Sequence, residues 1–336
     1  MEKSVSQIAQ STTYIICNRM LKVSVIIPVY GVEKYIERCA ISLFEQTLDE
    51  MEFIFVDDCT PDRSMEILKL VIEKYRHRLV EKRSVVKIEK MSTNSGLPTV
   101  RKHGTKLATG EYIAHCDSDD WVDVTMYQKL YENAIVEGSD IVVCGYQETD
   151  GTNILRQSLH QFKNREEYIS NMLCMKEAWA IWDKLCKREL YQTLEFPQYS
   201  MGEDMFMTFQ LVLKANKISM VNEMLYYYFF NSSSITKVKS EEKRYNHWRQ
   251  SVFNAEYVFT LLSKKYNQMF ADDIEYQKYK LKKLAGNLAY NDKYAKDWMN
   301  TFSSTHTSFC GLKGLTLVEK VKYLIILFYS WMKSKK

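Results

Sequence analysis

Proline and glycine are scarce, 4 and 11 among 336 residues. That scarcity argues against flexible linkers, collagen-like repeats and a β-sandwich punctuated by many turns. The 8 cysteines form no CxxC pair, and the two nearest, Cys174 and Cys186, stand twelve positions apart. This spacing argues against a zinc ribbon or a thioredoxin-type site. No GxGxxG follows any strand-like run and no Walker A sequence occurs, which disfavours hydride transfer and P-loop chemistry. One-signed charge is also lacking: 46 basic against 42 acidic residues leaves +4. That balance is too weak to imply nucleic acid, but it suits anionic substrates or an anionic membrane surface. The segment Met1–Asn18 has no apolar core with basic flanks, so it does not read as a secretion signal. Residues 1–20 read as a poorly ordered polar extension, with Met20 as an alternative start. Scattered cysteines without such a signal fit a reducing cytoplasm.

Apolar residues make up 46% and charged residues 26%, the balance of a folded globular chain. From Lys22 to Tyr146, short β-branched runs alternate with stretches of helical period. The predicted strands are Val23–Val29, Glu52–Asp57, Val85–Glu89, Tyr112–Cys116 and Ile141–Cys144. The predicted helices between them are Glu33–Gln46, Asp62–Arg76, Val100–Ala108 and Val124–Glu137. Strands that are apolar throughout imply helices on both faces. Repeated βα units imply an α/β fold with a mostly parallel central sheet and right-handed crossovers. Beyond Gly151 aromatics increase, Ile218–Phe230 reads as strands, Asn231-Ser232-Ser233-Ser234 as a loop, and everything from Ser240 onward as helices.

In such sheets ligands sit outside the carboxyl ends of the strands, and four successive strands end in polar or turn-forming residues. The first ends in Pro28-Val29-Tyr30 and the second in Asp57-Asp58. The third leads to Asn94-Ser95-Gly96 and then Arg101; the fourth ends in Asp117-Ser118-Asp119-Asp120. Three carboxylates in four residues repel one another and are costly beside a buried strand unless a cation or hydrogen-bond donors compensate. Mg²⁺ or Mn²⁺ is suited to this, since each takes one or two carboxylates plus phosphate oxygens. The competing reading is an acidic turn that caps the next helix through Asp120 or Asp123. The other strand ends favour the metal. Asp57 or Asp58 can accept from a nucleobase N–H or ribose hydroxyl, or simply shape the turn before the next helix. Arg101, near a helix start, can grip a base or diphosphate, or belong to a solvated basic face with Lys102 and Lys106. Glu203-Asp204 at a later helix start supplies either dipole compensation or a base beside an acceptor hydroxyl.

The ordered set resembles the family 2 glycosyltransferases with the GT-A fold. The matching text is Val23-Ser24-Val25-Ile26-Ile27-Pro28-Val29-Tyr30, Glu52-Phe53-Ile54-Phe55-Val56-Asp57-Asp58, Asn94-Ser95-Gly96 with Arg101, and Gly110-Glu111-Tyr112-Ile113 running into Asp117-Ser118-Asp119-Asp120. Trp182-Asp183-Lys184-Leu185, Gly202-Glu203-Asp204-Met205 and Tyr226-Tyr227-Tyr228 follow. The resemblance covers Leu21 to Thr236 and implies a Rossmann-like catalytic domain over 21–236, with a nucleotide half at 21–122 and an acceptor half at 123–236. A helical region over 237–336 follows.

By this resemblance Pro28 and Tyr30 line the nucleotide pocket, Asp58 holds the base with support from Asp57, and Arg101 contacts the nucleotide. Asp117 and Ser118 border the ribose or metal-bound water. Asp119 is the principal Mn²⁺ or Mg²⁺ ligand, with Asp117 or Asp120 sharing that role. Asp204 is the general base, Glu203 its neighbour, and Trp182 and Lys184 border the acceptor. The implied activity is inverting transfer of a hexosyl or N-acetylhexosaminyl group from a nucleotide-sugar, best a UDP-sugar, to a glycan or lipid-linked hydroxyl in bacterial surface polysaccharide synthesis. The alternatives are a non-catalytic sugar-nucleotide binder and a nucleotidyltransferase. Three positions depart from the family pattern: Cys59 stands where a small turn residue is usual, Lys102 where Asn is usual, and Pro98 lies in a loop usually built of small residues.

Near the end, Leu317, Val321, Leu324, Phe328 and Trp331 recur at helical spacing among Lys320, Lys322, Lys333, Lys335 and Lys336. The run Tyr323–Met332 is shorter than the ~20 apolar residues a membrane span needs. It reads either as an interfacial helix or as a terminal helix packed on its own domain. The expected location is the cytoplasm, with contact at the inner face of the membrane under the first of these.

Overall fold

The structure, a computed structural model, describes residues 21–230 and 240–335. The expected extension over 1–20, the alternative start at Met20, the loop at 231–234 and the last lysine of the tail lie outside the described residues. Two compact units share the chain. The first holds the described residues up to His160, then Ile181–Leu194, then the segment from Lys214 through the long strand that follows. The second gathers Gln161–Ala180, Glu195–Leu213 and the helices after Ser240. The sequence division at 236 therefore differs from the compact units: two segments upstream of it group with the later helices.

The first unit opens with β1 (Val23–Val29), α1 (Ile36–Phe44), β2 (Met51–Asp57), α2 (Ser64–Glu81), β3 (Val85–Lys90), α3 (Leu97–Leu107) and β4 (Tyr112–His115). All seven residues of β2 are buried, and β1 departs from full burial only at Pro28, as expected for strands covered on both faces. The third strand, at the sheet edge, is largely half-exposed. After β4 come β5 (Trp121–Val122), α4 (Met126–Glu137), β6 (Ile141–Thr149), β7 (Ile154–Ser158), α5 (Arg165–Leu173), β8 (Lys184–Lys187), α6 (Glu203–Lys214) and β9 (Ile218–Phe229).

Among the described residues nine strands form one sheet, in the order β3-β2-β1-β4-β8-β6-β9-β5, with β7 paired to β6. The first four strands pair in parallel through β1–β2, β2–β3 and β1–β4. β8 then runs antiparallel to both β4 and β6, and β5 runs antiparallel to β9, so the sheet as a whole is mixed. Chain order reverses at β1, which leads to β2 on one side and neighbours β4 on the other. A reversal of this kind opens a crevice at the carboxyl ends of the two strands. The ends in question carry Pro28 and Asp117. The parallel pairing of β6 with β9 shifts register around Gly145. A Cβ at Gly145 would lie 2.7 Å from the Ser158 carbonyl oxygen, so only glycine lets the backbones approach there.

The second unit contains α7 (Glu241–Tyr266), α8 (Ala271–Leu284), α9 (Ala295–Asn300), α10 (Thr305–Ser308) and α11 (Leu317–Ser334). Its core is aromatic: Trp248, Tyr279, Trp298, Phe309 and Tyr323 cluster with Leu288 and Leu312. Inside it Lys282 is fully buried. Its ammonium donates to the Thr301 carbonyl at 2.7 Å and lies 2.9 Å from His306 Nε2, with the Trp298 ring centroid 4.3 Å away. Burial lowers Lys282 from 10.5 to about 7, and burial together with Lys282 lowers His306 to about 4. Near neutrality the imidazole is thus an acceptor for the lysine.

Below about 7 both folded and unfolded chains hold the lysine proton; between about 7 and 10.5 only the unfolded chain does, so stability rises with pH across that window. We expect the urea midpoint of the wild type to gain on that of Lys282→Met as pH rises from about 7 to about 9. Parallel curves for the two proteins would show that Lys282 does not titrate in this window.

Candidate functional site

At the carboxyl end of β4 the chain turns through Asp117-Ser118-Asp119-Asp120 into β5. Contacts from β1, α1 and α3 pin this turn, and its own backbone closes it. The Ser118 hydroxyl donates to the Pro28 carbonyl at 2.6 Å, tying it to the end of β1. The Asp120 amide donates to the Asp117 carbonyl at 3.1 Å. Arg101 Nη2 lies 2.9 Å from Asp117 Oδ1. Arg38 Nη2 donates to the Asp119 carbonyl at 2.9 Å, and its guanidinium stacks 3.7 Å from the Trp121 ring and 4.7 Å from Phe229. Burial lowers the Arg38 pKa against the opposing pull of Asp120; the side chain stays cationic.

The three carboxylates are not equivalent. Asp120 is 1% exposed. Its Oδ2 accepts from the Tyr226 hydroxyl and its Oδ1 from the Phe229 amide, each at 2.7 Å. Burial, then Asp119 and Asp117, push its pKa well above the carboxylate range, while those two donors pull it down. Asp117 retains a second oxygen beyond its Arg101 contact and has a side chain 28% exposed. Asp119 is half-buried. Of the three residues expected to share a metal, Asp120 is therefore committed to holding β9, because both its oxygens already accept from that strand.

The Asp57-Asp58 pair closes the end of β2. Asp57 Oδ1 accepts from the Thr60 amide at 2.8 Å. Asp58 takes the Ser95 and Gly96 amides at 2.7 and 2.9 Å, one on each oxygen, so it fixes the loop before α3. The next residue, Cys59, has φ +58°. A left-handed backbone explains why a small turn residue suits this position; here a cysteine bears the strain, with its thiol 3.0 Å from the Met91 carbonyl. Pro98 falls in the first turn of α3, where a missing N–H costs little, and Lys102 is exposed. Tyr30, just past the end of β1, is 51% exposed. Arg101 is only 1% exposed. Its guanidinium reaches Asp117, so it positions that carboxylate where a direct nucleotide contact was expected.

Trp182 and Lys184 are placed more deeply than an acceptor border implies. The Trp182 ring stacks on Tyr226 at 4.2 Å and Tyr228 at 5.7 Å, with Tyr146 edge-on at 5.0 Å. Lys184 Nζ lies 2.6 Å from Asp183 Oδ1, and His160 Nε2 lies 2.9 Å from Asp183 Oδ2, all three side chains being almost fully buried. Burial alone would raise Asp183, but Lys184 and His160 outweigh it and hold the carboxylate below its ordinary value. Glu203 and Asp204 belong to the second unit, where they occupy the first turn of α6. Gly202 before them has φ +77°. Glu203 is buried and Asp204 half-buried. Four residues that organise the strand-end turn or the β8 cluster, Arg38, Tyr226, Asp183 and His160, were not singled out as site residues. Tyr226 and Asp183 stand inside matching motifs without a role of their own, and nothing in the sequence links Tyr226 to Asp117 and Asp120 or Asp183 to His160.

For a divalent cation the donor chemistry is hard carboxylate oxygen from Asp119 and Asp117. Among the described residues no group of three or more His, Cys, Asp or Glu side chains is arranged to hold an ion. Two carboxylates fit Mg²⁺ or Mn²⁺ when a substrate diphosphate completes the shell.

The model for glycosyl transferase family 2 matches residues 24–201. The chain belongs to that family. Similar proteins include the uncharacterized glycosyltransferase EpsJ of Bacillus subtilis, 34% identical over 226 residues that make up 64% of this chain and 63% of EpsJ. The chain thus spans less than two thirds of that relative's length. Among solved structures, S. aureus TarS 1-349 in complex with UDP superposes with a TM-score of 0.62 at 21% identity, covering 94% of this chain and 88% of that one. The mannosyltransferase PcManGT from Pyrobaculum calidifontis, in complex with GDP-Man and Mn²⁺, gives 0.56 at 14% identity with the same coverage. The family 2 domain here has the GT-A fold, a mixed α/β sheet followed by a helical region.

Tyr226 is the side chain whose loss best tests this arrangement. Its hydroxyl accepts from the Asp117 amide at 3.1 Å and donates to Asp120. Tyr226→Phe keeps the ring stacked on Trp182 but strips a donor from a buried carboxylate, at a cost of about 1–3 kcal/mol. Its melting temperature should fall, and nucleotide affinity should fall with it. Unchanged values for both would mean that the turn does not depend on this bridge.

Proposed function

We propose that this protein is an inverting glycosyltransferase that moves a sugar from a nucleotide-sugar, most simply a UDP-sugar, to a hydroxyl of a glycan or lipid-linked acceptor in bacterial surface polysaccharide synthesis. The observation that carries the reading is the pinned turn at the β1–β4 reversal of a family 2 domain. There Asp120 is held inward by β9 while Asp117 and Asp119 remain partly exposed. The UDP bound by the similarly folded TarS supports the choice of nucleotide.

In this reading Pro28 and the exposed Tyr30 border the base. Asp57 and Asp58 shape the pocket wall through Thr60, Ser95 and Gly96, and Asp57 is the better placed of the two to meet the base, since Asp58 already takes two amides. Ser118 holds the turn on Pro28. Asp119, with Asp117 steadied by Arg101, would hold Mn²⁺ or Mg²⁺, which when bound supplies positive charge against the diphosphate. Asp204 takes the proton of the acceptor hydroxyl, with Glu203 beside it. The hydroxyl oxygen bonds to the anomeric carbon from the face opposite the nucleotide, and the electron pair of the breaking bond departs with the diphosphate.

A panel of sugar nucleotides incubated with the protein and Mn²⁺ tests the donor. Release of nucleoside diphosphate from one of them is expected, and release from none would favour a member that binds without transfer. Asp204→Asn should keep donor affinity and lose transfer by about 10²–10⁴-fold; near wild-type turnover would remove Asp204 from the role. Asp119→Asn should abolish the response to Mn²⁺.

A further inference from the structure

The second unit presents one surface that glycosyl transfer does not use. Helix α11 packs on the aromatic core through Tyr323 and Ser330, both buried, and through Ile326 and Leu327. The Tyr323 hydroxyl meets Thr305 Oγ1 at 2.9 Å, and Ser330 Oγ donates to the Ala295 carbonyl at 3.1 Å. A helix packed on its own domain should turn polar residues outward, and α11 does the opposite. Of the 24 exposed large apolar side chains among the described residues, nine lie on this helix. They include Leu317, Val321, Leu324, Ile325, Phe328 and Trp331, each 46–78% exposed. At 3.6 residues per turn the nine fill an unbroken arc of about 160° centred opposite Tyr323.

Lysines bound this arc. Lys320 stands at one edge, Lys322 and Lys333 at the other, and Lys335 lies 3.8 Å over the Trp331 ring. Some carry local partners: Lys320 donates to the Cys310 carbonyl and Lys333 pairs with Asp292 at 2.8 Å. The single acidic residue of the helix, Glu319, sits on the inner side, closing the capping box with Thr316 and pairing with Lys283 at 2.7 Å.

We propose that the outer face of α11 lies on an anionic lipid surface, its apolar arc in the acyl boundary and its edge lysines among the headgroups. A wide apolar arc edged by lysine, with Trp and Tyr present, is the pattern of a helix lying in the membrane plane. No helix among the described residues is long and apolar enough to cross a membrane. The charge argues against a second copy as the occupant: self-pairing would set lysine edges together with no acidic residue on either outer face to meet them. The proposal stands apart from the donor chemistry, and its test reads a different quantity.

Flotation of the full chain with vesicles decides it. Protein should rise with vesicles of phosphatidylcholine containing phosphatidylglycerol, less with phosphatidylcholine alone, and less again in high salt. Phe328→Glu/Trp331→Glu alters only exposed positions. The double variant should lose vesicle binding about tenfold or more, while its melting temperature and its hydrolysis of sugar nucleotide in solution stay at wild-type values. No flotation with either vesicle, or equal flotation of the double variant, overturns the proposal. A concentration-dependent dimer that the double variant abolishes, without flotation, assigns the face to a second copy instead.

Discussion

One hydroxyl group holds the site edge together. Tyr226, on the long strand β9, accepts from the amide of Asp117 and donates to the carboxylate of Asp120. Remove that oxygen and a buried carboxylate keeps its charge cost but loses a donor, while the turn loses its tie to β9. The same ring is one face of the Trp182 stack. Thus the geometry of a turn that follows β4 is set by a residue more than a hundred positions later, and the intervening strands β6 and β8 must be in register for it to arrive.

Charge burial runs through the first unit in the same way. Lys184 and His160 are paired with Asp183, all three almost fully buried, and the buried Arg101 is paired with the partly exposed Asp117. Leaving one member of such a pair alone in the interior is far more costly than the pair itself is stabilising. These residues therefore act as obligate sets. A substitution at Lys184 or Arg101 would be felt as misfolding before it was felt as altered recognition.

Much of the parallel half was legible in the sequence. Val23–Val29 is legible to the residue, because a β-branched run broken only by Ser24 and Pro28 has few other homes. Strands β5, β7 and β8 were not seen, for physical reasons. Two residues carry no period, Ile154–Ser158 is exposed, and Lys184-Leu185-Cys186-Lys187 carries a lysine at each end, Lys184 buried against Asp183 and Lys187 paired with the remote Asp140. The candidate site was legible as a place and less so as an arrangement. The letters of Asp117-Ser118-Asp119-Asp120 do not say which carboxylate turns inward; that is decided by Tyr226 and the Phe229 amide. Likewise Cys59 looked like a departure from the family pattern, and its left-handed backbone gives the reason a smaller residue is usual there.

The two compact units are interleaved along the chain, with α5 and most of α6 grouped beside helices that come much later. Replacing only the residues after Ser240 would set the new helices against α5 and α6, which were selected with other partners. The segment after Ser240 is therefore no free-standing cassette, because part of its packing set, α5 and most of α6, is encoded upstream of it.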